Sequence, residues 1–326
     1  MRVIWIALLG VALLAGSAQG ASKGGSIALV AYSTPKDAYG SIISSFQKTS
    51  AGNGTSFSQS YGASGDQARA VAAGQSADLV ALSLDPDVNL LAGKGLVPKN
   101  WAANSHKGIV SDSVVVLVVR DGNPKHIKNW SDLVKPGVQV ITPNPFTSGG
   151  ARWNVMAAYG AQREAGKTDK QAIAYLKKFF QHVPVQPDSA RSALQIFAQG
   201  KGDVLLTYEN EALYAEKKGV HTQYTTPKNT LLIETPVALT KTGVSKPAAK
   251  AFYNYLWSAT AQKAFAAQGY RPVVKSVAKN YHFYSPKGLF TINTTKLGLN
   301  GWRKVNTRFF HPTKGIVAKI EKSLGH

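Results

Sequence analysis

Three short segments place serine beside glycine or other small residues where a predicted strand ends and a predicted helix begins. They are residues 61–68 (YGASGDQA), 147–154 (TSGGARWN) and 187–193 (PDSARSA). The first turn of a helix has backbone N–H groups without intrahelical partners, and the helix dipole adds partial positive charge there. Glycine allows an anion to approach these donors, and a serine hydroxyl can cap the helix or contact the ligand. The three segments together predict anion binding, although helix capping alone could explain each one.

Little else in the sequence could act on a substrate. The chain has no cysteine, and its seven histidines lie far apart, none of them four residues from another. The patterns GxSxG and HExxH are absent, and the glycines after Ser148 lack the lysine of a phosphate-binding loop. We therefore predict a binding protein without cofactor or metal. A hydrolase assembled from distant residues is the alternative.

Strands and helices that alternate along the chain must position the three segments. This alternation is typical of α/β folds with parallel sheets built from βαβ units, whose ligands bind at the carboxyl ends of the strands. The sequence predicts strands at 26–32, 56–61, 79–84, 113–120, 139–142, 203–208 and 230–240. It predicts helices at 37–49, 66–73, 151–164 and 170–180, and a helical region at 246–268.

Two predicted strands, 113–120 (SVVVLVVR) and 230–240 (TLLIETPVALT), are the most β-prone segments of the chain. A complete α/β set lies between them, which indicates a second lobe inserted into a discontinuous first lobe. We predict lobe 1 at 21–114 and 236–326 and lobe 2 at 115–235, with two crossings at the hinge. The basic tail after Lys279 is expected to pack over the outside.

The N-terminus has the pattern of a secretory signal peptide. Residues 1–2 carry a positive charge, 3–15 are almost wholly apolar, and Ala18 and Gly20 suit a cleavage site after residue 20. The apolar run is shorter than the roughly 20 residues of a membrane span, and no later segment is apolar enough to cross a membrane. A buried N-terminal helix is the alternative. Without a cysteine to carry a lipid anchor, an exported protein of this kind is expected in the periplasm as a monomer.

The formal net charge of +21 raises the question of nucleic-acid binding. The basic residues are spread along the whole chain, with no run of five or more, and aromatic residues are not interleaved with them. A dispersed positive field attracts small anions and opposes self-association. We therefore expect no nucleic-acid partner.

One long run resembles a known family. Residues 144–154 (NPFTSGGARWN) are similar to the central signature of the periplasmic sulfate-binding proteins, and related segments lie at 61–65, 203–211 and 269–272. The resemblance extends from about residue 27 to residue 310. It implies a two-lobe, type II periplasmic binding protein that binds sulfate and delivers it to the membrane permease and ATPase subunits of an ABC importer.

The resemblance also implies which groups hold the dianion without a cationic side chain. These are the backbone N–H groups of Ser64, Gly149, Gly150 and Ala190, together with the hydroxyl of Ser148. Arg191, next to Ala190, is expected to support the backbone rather than to touch the ligand.

Three positions depart from the family pattern. Tyr208 corresponds to a tryptophan whose indole N–H contacts sulfate, and a phenol can donate a similar bond. Ser33 corresponds to an acidic residue and is kept among the predicted ligand residues. Asp66 stands near the incoming anion and is expected to face away from it. Glu209 and Glu211 are expected to stabilise the hinge side of the protein.

A site made only of donors favours sulfate over phosphate. Sulfate carries no proton at neutral pH, whereas hydrogen phosphate carries one that would remain unpaired, at a cost of roughly 1–3 kcal/mol. Thiosulfate, and then phosphate or molybdate, remain alternative ligands, because the radius of the pocket cannot be read from the sequence.

Overall fold

The computed structural model describes residues 24–325, so the predicted signal peptide at 1–20 lies outside the described residues. Its strands are β1 (Ser26–Tyr32), β2 (Ser56–Gly62), β3 (Leu79–Ala81), β4 (Ile109–Arg120), β5 (Val140–Ile141), β6 (Val204–Tyr208), β7 (Thr222–Thr225), β8 (Asn229–Leu239) and β9 (Gly288–Phe290).

The helices follow the strands along most of the chain, with short 3₁₀ segments at Trp130–Val134 and Thr295–Leu297. They are α1 (Lys36–Phe46), α2 (Ser64–Ala72), α3 (Asp85–Gly93), α4 (Gly149–Glu164), α5 (Asp169–Gln181), α6 (Ala190–Ala198), α7 (Glu209–Lys217), α8 (Lys241–Ser245), α9 (Pro247–Tyr255), α10 (Ala259–Ala267), α11 (Lys275–Ala278), α12 (Gly301–Phe309) and α13 (Ile316–Leu324).

The strands are hydrogen-bonded in the order β2-β1-β3-β8-β4-β6-β5, with β7 beside β4 and β9 beside β8. The pairs β1–β2, β1–β3, β5–β6 and β8–β9 are parallel. The pairs β3–β8, β4–β6, β4–β7 and β4–β8 are antiparallel. The predicted α/β architecture with two lobes is confirmed. The sheet is more mixed than strand–helix alternation predicts, because β4 and β8 run antiparallel to each other at the crossing between the lobes.

The long strand β4 is buried on both faces, as its run of β-branched residues requires. Val115, Leu117 and Val119 face one hydrophobic core, while the intervening Val114 and Val116 face another. Two further cores lie around β1 and β3. β4 therefore lies between two of the hydrophobic cores. This packing fixes the positions of the strand ends that lead to the site.

Two local predictions need correction. The strand predicted at 79–84 ends at Ala81, because residues 82–84 lead directly into α3. The helical region predicted at 246–268 is divided into α9 and α10, since Ser258 caps a new helix by accepting the Ala261 N–H at 3.2 Å.

The C-terminal helices pack on the inserted segment between the two long strands. Trp302 of α12 meets Trp153 of α4 edge to face, with ring centroids 4.6 Å apart. Phe309 makes the same kind of contact with Tyr159. The tail thus covers the outside of the molecule as expected, but it contacts predicted lobe 2, because its aromatic side chains complete that core. The division at residues 114/115 and 235/236 itself stays a prediction.

Candidate anion-binding site

The start of α4 presents two backbone donors. Ser148 caps this helix through its Oγ, which accepts the Ala151 N–H at 3.3 Å, and its own N–H donates to the Asn144 carbonyl. The N–H groups of Gly149 and Gly150 have no partner within the helix. Since the Ser148 oxygen serves as an acceptor for the cap, its proton is available to a ligand.

The start of α6 is built in the same way. Ser189 caps it by accepting the Ser192 N–H at 3.2 Å, and the two serine hydroxyls lie 2.9 Å apart. The cap satisfies the third N–H of the helix and leaves the N–H of Ala190, the first helical residue, without an intrahelical partner.

The start of α2 uses its serine differently. The Ser64 hydroxyl donates to Asp87 Oδ2 at 2.6 Å and accepts the Ser83 N–H at 2.9 Å. The hydroxyl is therefore occupied within the protein, and the backbone N–H of Ser64 is the group available at this helix start. Asp66 is half-exposed and pairs with Arg69 on the outer face of the helix, so its carboxylate faces away from the site.

These three helix starts converge on one small cavity of about 10 Å³. That volume is below the roughly 300–1,000 Å³ of pockets for drug-sized ligands. Every predicted ligand residue lines it: Ser33, Ser64, Ser148, Gly149, Gly150, Ala190 and Tyr208. Within the part of the chain that the structure describes, no lysine, arginine or histidine belongs to this wall. The cavity, which we call the anion pocket, therefore presents backbone donors and hydroxyl groups.

Two glycines are required here by space rather than by backbone conformation, since neither has a positive φ. A Cβ at Gly149 would lie 2.5 Å from Ser83 Oγ. A Cβ at Gly150 would lie 2.8 Å from Tyr208 Cε2. The N-terminus of α4 can approach the opposite wall only without side chains at these positions.

Ser83 is part of the site and was missed by the sequence prediction. It follows β3, and its Oγ lies 2.7 Å from the Tyr208 hydroxyl, while its carbonyl accepts the Trp153 indole N–H at 2.9 Å. Burial raises the pKa of Tyr208 well above its ordinary value, so the phenol keeps its proton. The available signal was a serine at the carboxyl end of a strand, but the prediction had placed it inside the strand.

Arg191 lies outside the anion pocket and links its walls, which agrees with the expected supporting role. It donates to both carboxylate oxygens of Glu211, at 2.9 and 2.8 Å, and to the Thr34 carbonyl at 3.0 Å. Its guanidinium also stacks on Tyr214. Burial raises the pKa of Glu211, and the adjacent arginine opposes that shift. The charge of Arg191 is thus paired within the protein.

Glu209, the other acidic residue after Tyr208, pairs with Arg271 at 2.7 and 3.0 Å. Neither glutamate lines the anion pocket. The Asp87 carboxylate accepts the Ser64 hydroxyl, and burial raises its pKa although Arg152 and the Ser64 hydroxyl oppose the shift. These carboxylate acceptors therefore lie outside the lining of the anion pocket.

The described residues contain neither a candidate metal cluster nor a candidate membrane span. No group of three or more histidine, aspartate or glutamate side chains there could hold a metal ion. No helix between residues 24 and 325 is long and apolar enough to cross a membrane.

The fold and the pocket define a two-lobe binding protein. The family model described as bacterial extracellular solute-binding protein matches residues 27–271, and the chain belongs to that family. The sulfate-binding protein of Synechococcus elongatus is 38% identical over 312 residues, which cover 92% of this chain and 89% of that protein. The thiosulfate-binding protein of Pseudomonas aeruginosa is 33% identical over 324 residues, covering 95% and 96%.

A solved structure agrees with both the fold and the resemblance. The sulfate-binding protein SubI from Mycobacterium tuberculosis H37Rv is 43% identical and superposes with a TM-score of 0.84, covering 88% of this chain and 100% of that one. The resemblance to sulfate-binding proteins inferred from residues 144–154 is thereby confirmed.

Proposed function

We propose that this protein binds sulfate in the anion pocket and delivers it to an ATP-driven importer. The observation that carries the proposal is the convergence of three helix starts on a cavity whose wall contains no cationic side chain among the described residues. Ser64, Gly149, Gly150 and Ala190 contribute backbone N–H groups, and Ser148, Tyr208 and Ser33 complete the predicted ligand set. Helix starts bind dianions through such fixed donors. The sulfate-binding relatives support the same ligand.

Backbone donors give sulfate an advantage over anions that carry a proton. The donors of α4 and α6 are held by helices that Ser148 and Ser189 cap, so their geometry does not depend on a flexible side chain. A protonated ligand oxygen placed against an N–H group loses its hydrogen bond, which costs roughly 1–3 kcal/mol in a buried site. We infer that sulfate is held more tightly than phosphate.

The proposal extends to the cellular role. The protein is a non-enzymatic, monomeric carrier, exported to the periplasm, whose two lobes close on the ligand by hinge bending. The membrane permease and ATPase subunits of the importer receive the ligand. The net charge of +21 attracts the anion from a distance, and no nucleic acid is involved.

Thiosulfate is the second candidate ligand, because a thiosulfate-binding relative is similar along nearly the whole chain. Thiosulfate replaces one oxygen by a larger and softer sulfur atom. The small cavity of about 10 Å³ and the bulk of Tyr208 against Gly150 favour the smaller anion.

Calorimetric titration of the mature chain with sulfate, thiosulfate, phosphate and molybdate at one ionic strength tests the proposal. We expect sulfate to bind with a submicromolar Kd, about −8 kcal/mol or better, and more tightly than the other anions. Phosphate binding as tightly as sulfate would contradict the role of the backbone donors. Tight DNA binding without any response to anions would contradict the proposed function as a whole.

A further inference from the structure

Trp153 is a buried tryptophan of α4 whose hydrogen-bond partner belongs to the other predicted lobe. Its side chain is 1% exposed, and its indole N–H donates to the Ser83 carbonyl at 2.9 Å. Ser83 belongs to predicted lobe 1, whereas Trp153 belongs to predicted lobe 2. A buried indole needs a partner for its N–H, and this one has its partner across the cleft.

The bond lies one helical turn from the backbone donors of α4. Gly149 and Trp153 are four residues apart on this helix, so they lie on the same face. Both approach Ser83, since a Cβ at Gly149 would lie 2.5 Å from the Ser83 hydroxyl oxygen. The bond between Trp153 and Ser83 therefore holds the start of α4 close to the opposite wall of the anion pocket.

Both partners of this bond are fixed by their own surroundings. The Ser83 N–H donates to the Ser64 hydroxyl at 2.9 Å, and Ser64 begins α2. On the other side, Trp302 packs edge to face against Trp153, with ring centroids 4.6 Å apart. The backbone of Ser83 thus connects the start of α2 with α4, the two helices that supply predicted donors from opposite lobes.

We propose that Trp153 is a positioning residue for anion binding, because its bond to the Ser83 carbonyl stabilises the closed arrangement of the two lobes. Trp153 does not belong to the lining of the anion pocket, so it acts through Ser83 rather than by contact with the anion. When the lobes separate, the indole N–H and the carbonyl each bind water instead. The inference rests on the proposed sulfate-binding function and adds a residue that controls how long the ligand stays bound.

Trp153→Phe tests the proposal, because phenylalanine keeps an aromatic ring against Trp302 and removes the N–H. We expect the sulfate Kd to rise about tenfold in titration calorimetry. Stopped-flow fluorescence should assign this change to koff, with kon changing by less than about threefold. Sulfate first meets the open protein, in which the bond between the lobes has not formed, so the rate of association does not depend on it.

Trp130→Phe is the matched control. The Trp130 side chain is also buried, and its indole N–H donates to the Asn229 carbonyl at 2.7 Å. Both residues belong to predicted lobe 2, so the same substitution removes an equivalent bond within one lobe. We expect the sulfate Kd and koff of this variant to stay within about twofold of those of the unsubstituted protein.

Hydrogen exchange of the indole N–H groups gives a measurement on the unsubstituted protein. Without sulfate, we expect the Trp153 N–H to exchange at least about tenfold faster than the Trp130 N–H, because separation of the lobes exposes the Trp153 bond to water and leaves the Trp130 bond intact. Saturating sulfate should slow the exchange of Trp153 more than that of Trp130.

Several results would overturn the inference while leaving sulfate binding intact. These are an unchanged Kd in Trp153→Phe, a loss of affinity that lies in kon, and equal losses of affinity in Trp153→Phe and Trp130→Phe. Equal exchange rates of the two indole N–H groups in the sulfate-free protein would also overturn it. Failure of the unsubstituted protein to bind sulfate would overturn the proposed function, and this inference with it.

Discussion

Two cavities of this protein differ in the kind of polar group that lines them. The anion pocket, about 10 Å³, is lined by helix starts and hydroxyl groups. A second cavity of about 330 Å³, which we call the acidic cavity, lies near the crossing of β4 and β8 and is lined by Asp85, Glu234, Lys107 and tryptophans. Fixed dipoles line the first and titratable groups line the second. Recognition of a dianion therefore does not need a charged side chain, and the charged groups tune the scaffold around it.

The carboxyl groups in the acidic cavity, and Asp112 beside it, have raised pKa values. Burial, followed by the charge of Glu234, raises the pKa of Asp85 to about 6. Asp112 stands directly across from Glu234 on the paired strands. Burial and the same glutamate raise its pKa to about 7, while Arg271 opposes the shift. These groups ionise near neutral pH, whereas the backbone donors of the anion pocket do not titrate.

The largest loss of stability is expected when the partner of a buried charged side chain beside the anion pocket is removed. Arg191→Met would leave Glu211, whose side chain is 0% exposed, without its partner. We expect the free energy of unfolding to fall by about 3–5 kcal/mol, as measured by urea denaturation at neutral pH. Combining Arg191→Met with Glu211→Gln should recover part of the loss, because an amide is less costly to bury than a carboxylate.

Arg69→Met provides the comparison for that variant. Arg69 and Asp66 form a surface pair whose side chains are about half exposed, at 51% and 49%. Surface pairs contribute little, so we expect a change of at most about 1 kcal/mol. Equal losses in the Arg191 and Arg69 variants would contradict the supporting role of Arg191.

Gly150→Val should abolish anion binding with a smaller effect on the fold. A Cβ there would lie 2.8 Å from Tyr208 Cε2, so the first turn of α4 must withdraw from the opposite wall. We expect sulfate affinity to fall at least 100-fold, or about 3 kcal/mol. Gly40→Ala on α1 is the control, since a Cβ at Gly40 meets no atom within 4 Å. Retained affinity in Gly150→Val would place the ligand elsewhere.

Ser148→Ala removes a hydroxyl donor and a helix cap together. We expect sulfate binding to weaken by about 1.5–3 kcal/mol, the range for a hydrogen bond to a charged group. Titration calorimetry measures this loss. Ser258→Ala removes the cap of α10 far along the chain from the anion pocket, so it should lower stability by about 1 kcal/mol without changing affinity. A similar affinity loss in both variants would show that capping, not contact with the ligand, explains the role of Ser148.

The sequence predicted the anion pocket better than the acidic cavity, for a physical reason. Helix starts are local: Ser148 and the two glycines after it form a cap and a donor pair whatever surrounds them. The residues at 64, 148–150, 190 and 208 could therefore be placed by strand–helix junctions and by resemblance. Asp112 and Glu234 become neighbours only through the register of two strands separated by more than 100 residues, and that register depends on a bulge near Ser111.

Ser83 and the C-terminal helices show the same limit. The contact of Ser83 with Tyr208 spans 125 positions, and that of Trp302 with Trp153 joins the tail to the inserted segment. Neither pairing has a periodic pattern in the sequence. Residue types along the chain predict which groups can bind an anion. They do not predict which distant residues contact those groups.

The last prediction concerns Asp112 and separates the two cavities most clearly. Because its pKa of about 7 in the folded protein exceeds the ordinary value near 3.9, the folded state binds this proton more tightly than the unfolded state. The contribution of Asp112 to stability is therefore lost as the pH rises from about 4 to about 7. Asp112→Asn cannot ionise, so we expect it to be more stable than the unsubstituted protein above about pH 7, by up to about 4 kcal/mol.

The two proteins should have the same stability below about pH 4, and denaturant unfolding across this range measures the difference. Asp121→Asn, at an exposed turn where an oxygen still accepts the Gly122 N–H, should show no such pH dependence. Sulfate affinity of Asp112→Asn at neutral pH should equal that of the unsubstituted protein, because the anion pocket recognises its ligand with groups that do not titrate. A change in affinity that follows the ionisation of Asp112 would mean that the acidic cavity also controls closure around the anion.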